Sequence, residues 1–171
     1  HQNIKDNRYT DFYDSDLNKI DLDKYRNKNI RIIFQSYNLL PHLDAIENVI
    51  LSMDVSGLDI KDKEKEAIKL LKKVGLDEEL GKRRVLKLSG GEQQRVAIAR
   101  SLSYNPDIIL ADEPTGNLDQ ETENEIMNIF NNLAKEEKKC IIIVTHSKNV
   151  SDRVDKVFEL WESMQQWRAH S

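Results

Sequence analysis

The run Leu88-Ser89-Gly90-Gly91-Glu92-Gln93-Gln94-Arg95 carries the densest chemistry in this 171-residue chain. Ser89, with Glu92 three positions on, forms a capping box, the mark of a helix start. The two glycines remove Cβ atoms that would keep a ligand from the backbone. The helix's first turn then offers free N–H groups at the positive end of its dipole, a seat suited to phosphate. Asp112-Glu113 lies 23 positions after Ser89 and ends an apolar run. The Asp112 carboxylate suits Mg²⁺, a hard cation that takes oxygen ligands. Glu113, beside it, can orient or deprotonate a water, a role worth roughly 10²–10⁴-fold. A further 34 positions on, a second apolar run ends in Thr145-His146, and a neutral imidazole there can hydrogen-bond a terminal phosphate. Gln35 ends an earlier apolar run, and its amide can contact a metal or a water. Each signal alone has an ordinary structural explanation: a helix start, two acids before a turn at Pro114, a histidine after a strand. Four polar endings on one crevice are much harder to assign to chance.

These groups meet only if the elements between them bring them together. Ile30-Arg31-Ile32-Ile33-Phe34 is β-branched and aromatic, a strand by composition, and a loop carrying Pro41 follows it. Asp44 with Glu47 is a capping-box variant, and Ile46, Val49, Ile50 and Met53 repeat at helical spacing. A second helix is expected from about Lys61 to Val74, with Ala67, Leu70, Leu71 and Val74 on its apolar face and Gly75 as its left-handed stop. The charges of Lys61 to Glu66 alternate in sign and form a solvated face. The helix opened by Ser89 runs to about Ser103, and Pro106 breaks it before a short strand, Asp107–Asp112. Glu121 to Glu137 is helical, with Ile126, Ile129, Phe130 and Leu133 facing inward. Cys140 to Thr145 has no polar alternation, so a strand covered on both faces is expected. A helix around Lys148–Arg153 and a strand at about Lys156–Leu160 complete the pattern. Residues 1–29 are polar and Asp-rich, a loop with a short helix near Leu22–Asn27. Strands alternating with helices mean an α/β fold with a mostly parallel sheet, whose ligand crevice lies at the C-terminal strand ends.

Composition narrows the field. Lys plus Arg number 26 against 30 Asp plus Glu, a net charge of -4, so no broad cationic surface for nucleic acid is expected. Charged residues make up 33 % and apolar residues 39 %, against ~25 % and ~45–50 % in ordinary domains. The chain is light on core for its size. Its longest strongly apolar stretch, Cys140 to Val144, is far shorter than the ~20 residues of a membrane span. No charged-then-apolar leader opens it, so export is not expected. The single cysteine, Cys140, rules out an internal disulfide, suits a reducing compartment and is expected as a small buried residue at a strand start.

As a set the motifs resemble the ATP-binding-cassette (ABC) ATPases. Ser89-Gly90-Gly91-Glu92-Gln93 is similar to the family signature, and Ile108–Asp112 with Glu113 to its Walker B strand and catalytic glutamate. Gly116-Asn117-Leu118-Asp119 resembles the D-loop, Gln35 the Q-loop glutamine and His146 the switch histidine. Order and spacing agree over about residues 30–160. The stretches Tyr37–Pro41 and Ala111–Asp119 look most like the subgroup serving lipoprotein release, macrolide efflux and antimicrobial-peptide export. The resemblance implies a P-loop NTPase-type sheet with an inserted helical subdomain. It divides the chain into a helical and Q-loop region at 36–88, a signature, Walker B, D-loop and switch core at 89–160, and an atypical tail at 161–171. It also implies ATP and Mg²⁺ as ligands, with Asp112 and Gln35 at the metal and Glu113, His146 and Gln35 in catalysis. The Ser89–Gln93 signature would reach ATP held by a second ABC ATPase subunit, across an interface that includes Asp119. A transmembrane permease is the implied partner, nucleic acid is not, and the implied location is cytoplasmic, on the inner face of the cell membrane.

One part of the family pattern is missing. The phosphate cradle, Gly-x-x-x-x-Gly-Lys-Ser/Thr, belongs upstream of the Q-loop. The 34 residues before Gln35 contain no glycine. Gly75 to Gly81 followed by Lys82-Arg83 has five intervening residues, no hydroxyl and the wrong place in the order. An N-terminally truncated chain that lacks the first strand and phosphate loop is therefore expected, binding ATP weakly. In the family that strand lies between the one ending at Thr145 and the one near Val157, so its loss should leave an unsatisfied sheet edge. The tail, with Trp161 and Trp167, is either a partner-docking helix or an altered, out-of-frame end. Two alternatives stand beside the transporter motor: an inactive truncated product, and a soluble cassette acting on nucleic acid or ribosomes.

Overall fold

The computed structural model describes residues 29–57 and 59–159. The helix expected near Leu22–Asn27 and the tail 161–171 lie outside the described residues. Three strands, β1 (Ile30–Ile33), β2 (Ile108–Asp112) and β3 (Cys140–Val144), form one sheet in the order β1-β2-β3. Both pairings are parallel, with Ile33 opposite Ala111 and Asp112 opposite Val144. All three C-terminal ends therefore share one rim.

The crossover from β1 to β2 is helical: α1 (Ala45–Ser56), α2 (Lys63–Lys73), the short α3 (Glu78–Gly81), a 3₁₀ turn at Val85–Lys87, and α4 (Gly90–Leu102). α5 (Gln120–Lys135) returns the chain to β3, and the four-residue α6 (Lys148–Ser151) follows. Capping fixes the starts. Asp44 and Glu47 exchange both hydrogen bonds of a capping box at α1, as do Ser89 and Glu92 at α4, each worth about 1 kcal/mol. Asp62 caps α2, so that helix begins two residues later than its charge pattern suggested. Gly75, at φ +83°, ends the α2 region in the left-handed conformation, and a Cβ there would stand 2.7 Å from Nη1 of Arg95.

The core lies between α1, α2 and α4, and between α4, α5 and one face of the sheet. Ile33, Ile109 and Ala111 point into it, together with Ile126, Met127, Phe130 and Leu133 of α5.

Three expectations are corrected. β3 is not covered on both faces: Ile142 is 48 % and Val144 45 % exposed, beside Ile32 at 46 %. The apolar run makes both faces suitable for burial, but α4 and α5 occupy only one of them. Cys140, on the open face, is exposed rather than buried. Residues 156–159 form no strand, and Val157 and Phe158 are exposed. Among the described residues no strand lies beside 156–159 for them to pair with. Among the described residues no strand pairs with the outer edge of β3.

Candidate functional site

The rim is built around Glu113. β2 ends at Asp112, and Glu113 takes φ 44°, a left-handed conformation that turns the chain off the sheet. Its N–H still donates to the Val144 carbonyl at 2.9 Å, so the sheet pairing extends one residue beyond the strand. Its carboxylate then reaches across to the end of β3. Oε2 accepts from the Thr145 hydroxyl at 3.1 Å, and Oε1 accepts from the His146 backbone N–H at 3.0 Å. The His146 ring is fully exposed, with Nε2 3.7 Å from Oε1 of Glu113, beyond hydrogen-bond range. It stands free to meet a ligand from solvent.

Gln35 joins the same rim from β1. Its Nε2 lies 3.1 Å from where a Cβ on Gly116 would stand, and Cβ of Glu113 lies 3.6 Å from that point. A side chain at Gly116 would crowd the Gln35 amide, while its contact with Glu113 would be an ordinary one. Gln35, Glu113 and His146 come together, with the exposed Asp112 carboxylate at the adjoining strand end. Among the described residues no group of three or more His, Cys, Asp or Glu is placed to hold a metal by itself. That donor set fits Mg²⁺, which is held by one or two protein groups and completes its shell with water and phosphate oxygens.

The loop after Gln35 is anchored at two points. Asn48, buried in α1, accepts from the Leu40 N–H at 2.8 Å and donates to the Leu40 and Asp44 carbonyls at 3.2 and 2.8 Å. Arg100 of α4 donates to the Tyr37 carbonyl at 2.7 Å and also to that of Asn38. Tyr37 and Asn38 both hold positive φ, 56° and 50°, and the guanidinium grips their two successive carbonyls. Burial pulls the Arg100 pKa down from its ordinary value.

The signature region opens α4 beside these loops. A Cβ on Gly90 would lie 3.3 Å from the Tyr37 hydroxyl and 3.4 Å from Cδ2 of Leu118. On buried Gly91 it would lie 2.3 Å from Cγ2 of Thr122. The second glycine is therefore demanded by helix packing, a reason different from the access to a ligand that its position suggested. The Gln93 side chain turns back to donate to the Leu88 carbonyl at 2.9 Å. Asp119 caps α5, accepting from the Thr122 N–H at 3.0 Å and hydroxyl at 2.7 Å. Those two bonds hold its carboxyl below the ordinary range.

Residues 5–116 match the family model described as ABC transporter. The chain belongs to the ABC transporter ATPase family. It is 47 % identical over 135 residues to the uncharacterized ABC transporter ATP-binding protein YclH of Bacillus subtilis, a match covering 79 % of this chain and 60 % of that one. It is 42 % identical to the lipoprotein-releasing system ATP-binding protein LolD of Legionella pneumophila (strain Paris), over 80 % of this chain and 60 % of that one. The dimeric post-hydrolysis structure of the ATP-binding cassette MJ0796 bound to ADP and Pi superposes with a TM-score of 0.67 at 41 % identity. That superposition covers 81 % of this chain and 61 % of MJ0796. The chain thus spans about 60 % of the length of the curated relatives it matches.

Sequence reasoning missed the residues that hold the site in place: Thr145 as a donor to Glu113, Arg100 and Asn48 on the Gln35 loop, and Glu123 of α5. Only a contact between distant positions reveals them. Glu123 sits in the polar run Gln120–Glu125, which reads as an ordinary first turn of a helix.

Proposed function

We propose that this chain is the greater part of the nucleotide-binding motor subunit of an ABC transporter, coupling ATP binding and hydrolysis to transport through a membrane permease. The observation that carries it is the convergence of Gln35, Glu113 and His146 on one sheet rim beside Asp112. At that rim Glu113 orients and deprotonates the attacking water, and the exposed His146 ring hydrogen-bonds the terminal phosphate. The donors from Thr145 and His146 aim the Glu113 carboxylate. Asp112 and the Gln35 amide would hold Mg²⁺, which neutralises phosphate charge when bound. Ser89–Gln93 meets a nucleotide carried by a second cassette, and Asp119 lies on the interface between them. Residues 36–88 form the helical and Q-loop region that receives the permease, 89–160 the catalytic core, and 161–171 an atypical tail. The open outer edge of β3 and the bare face of Ile32, Ile142 and Val144 are where a cradle strand and its helix would pack. Relatives named for lipoprotein release support the exporter-type subgroup.

Three experiments test this. Titration of the chain with MgATP should give weak binding, because the phosphate cradle is absent from the sequence. Tight binding would overturn that assignment. In a form that carries the cradle, Glu113→Gln should lower kcat roughly 10²–10⁴-fold. The chain should co-sediment with permease-bearing membranes, and co-purification with nucleic acid or ribosomes instead would sink the transporter reading.

A further inference from the structure

Glu123 stands in the first turns of α5, and its carboxylate gathers donors from two separate loops. Oε2 accepts from the Thr115 hydroxyl at 3.0 Å and from the Ser147 hydroxyl at 3.1 Å, while Oε1 accepts from the Asn149 amide. Thr115 lies two residues beyond Glu113, Ser147 is the residue after His146, and Asn149 belongs to α6. We infer that Glu123 is a positioning residue, tying the turn that carries Glu113 to the loop that carries His146 so that the two hold one geometry. The inference rests on reading Glu113 and His146 as hydrolytic groups, and the tie itself is a property of this chain without nucleotide.

Three features support it. A carboxylate accepting from three donors makes charge-assisted bonds, roughly twice as strong as neutral ones. The elements it joins are weak on their own. α6 has four residues, too few to be stable alone, and is laced to α5 through polar contacts. In those contacts Arg153 donates to the Asn124 side chain at 2.7 Å and to Asn128 at 2.7 Å, and Val150 of α6 is buried. Glu123 is the anchor closest to the rim, because its partners flank both chemical residues. Finally, Glu113 owes its own two donors to Thr145 and the His146 N–H. If the His146 loop drifts, Glu113 loses both.

Amide hydrogen exchange tests the tie. The His146 N–H, which donates to Glu113, is the probe, and the Ala111 N–H in central β2 is the control for global opening. In Glu123→Gln the carbonyl oxygen still accepts from the two hydroxyls, but the new NH₂ confronts the NH₂ of Asn149. Exchange at His146 should quicken about tenfold, the equivalent of one lost charged hydrogen bond, with Ala111 unchanged. Adding Asn149→Asp reverses donor and acceptor and should return the His146 rate toward that of the parent chain. Ser147→Ala, which removes one donor and leaves Glu123 intact, should give a smaller rise at the same amide. An unchanged His146 rate in Glu123→Gln, a rise shared by Ala111, or no recovery in the double variant would overturn the inference. Because no nucleotide is present, that outcome is distinct from failure of the ATPase reading, which the MgATP titration decides.

Discussion

The hydroxyl of Thr145 donates to Oε2 of Glu113 at 3.1 Å, joining the residue that leaves β2 to the residue that leaves β3. Both stand just beyond the register pair Asp112 and Val144. Glu113 holds φ 44°, which for a residue with a Cβ costs of order 1–3 kcal/mol. The Glu113 N–H to Val144 carbonyl bond and the two donors to its carboxylate stabilise that conformation. Strain at a rim residue aims its side chain where ordinary strand geometry would not.

Thr145→Val keeps the shape of the side chain and removes its hydroxyl. Glu113 then retains only the His146 N–H, and the Ser147 N–H, 3.0 Å from the Thr145 hydroxyl, loses its acceptor. The expected loss of stability is about 1–2 kcal/mol, read from the urea midpoint at unchanged slope. An unaltered midpoint would mean that water replaces the hydroxyl without cost.

Gly91→Ala should destabilise the fold by about 1–3 kcal/mol, since its Cβ would stand 2.3 Å from Cγ2 of Thr122. Thr122→Ser removes that methyl and leaves the hydroxyl that bonds Asp119. The double variant should recover most of the loss. If it does not, backbone rather than this methyl sets the requirement for glycine. Gly57→Ala is the contrast: nothing lies within 4 Å, so only its φ of +69° is paid for, about 1 kcal/mol.

How far the sequence foretold these relationships depends on their range along the chain. Capping boxes at Asp44 and Ser89 and the stop at Gly75 were legible because each is written within a few residues. The helical faces followed from periodicity, the three strands from short β-branched and apolar runs, and the common rim of Gln35, Glu113 and His146 from the rule that parallel strands end together. What failed was burial. Cys140–Val144 is apolar on both sides, yet apolarity states only what a face tolerates, and one side of this strand is open. Val157 and Phe158 likewise have strand-forming side chains, yet they are exposed and pair with no strand among the described residues. The grips of Arg100 on Tyr37 and of Glu123 on Ser147 escaped notice because no local pattern encodes a contact spanning 63 or 24 positions.

Arg100→Lys should loosen the loop behind Gln35. A guanidinium presents a fixed fork to the Tyr37 and Asn38 carbonyls, whereas an ammonium is a single point charge. With both residues at positive φ, the loop has an extended alternative once released. Limited proteolysis within 36–40 should accelerate about tenfold, with the urea midpoint falling by about 1 kcal/mol or less. Unchanged cleavage would leave Asn48 as the sufficient anchor.

Acid should act through Glu123. The Asn149 hydrogen bond, aided by those from Thr115 and Ser147 and by the charge of Arg153, holds its pKa below the ordinary carboxylate value despite the opposing effect of burial. A carboxylate whose folded pKa lies below its unfolded one contributes stability that is complete above the unfolded value, about 4.3, and is lost as pH falls through the lowered value. Stability measured by urea should therefore decline below about pH 4.3, and Glu123→Gln should flatten that decline. An identical slope in the variant would place the acid sensitivity on other carboxylates.

Gln94 offers the opposite kind of test, a change expected to stabilise. It lies in the first turns of α4, immediately after the signature, and is fully buried. Neither its amide oxygen nor its nitrogen has a hydrogen-bond partner among the described residues. Burying an unpaired amide costs about 1–3 kcal/mol, while an apolar side chain of the same length fills the space without that penalty. Gln94→Met should raise the urea midpoint by about that amount, and Gln94→Ala should lower it by leaving a cavity. The pair separates polarity from volume. If Met and Ala both destabilise, the amide has a partner in solution, and the first turns of α4 are held by a contact that packing alone does not supply.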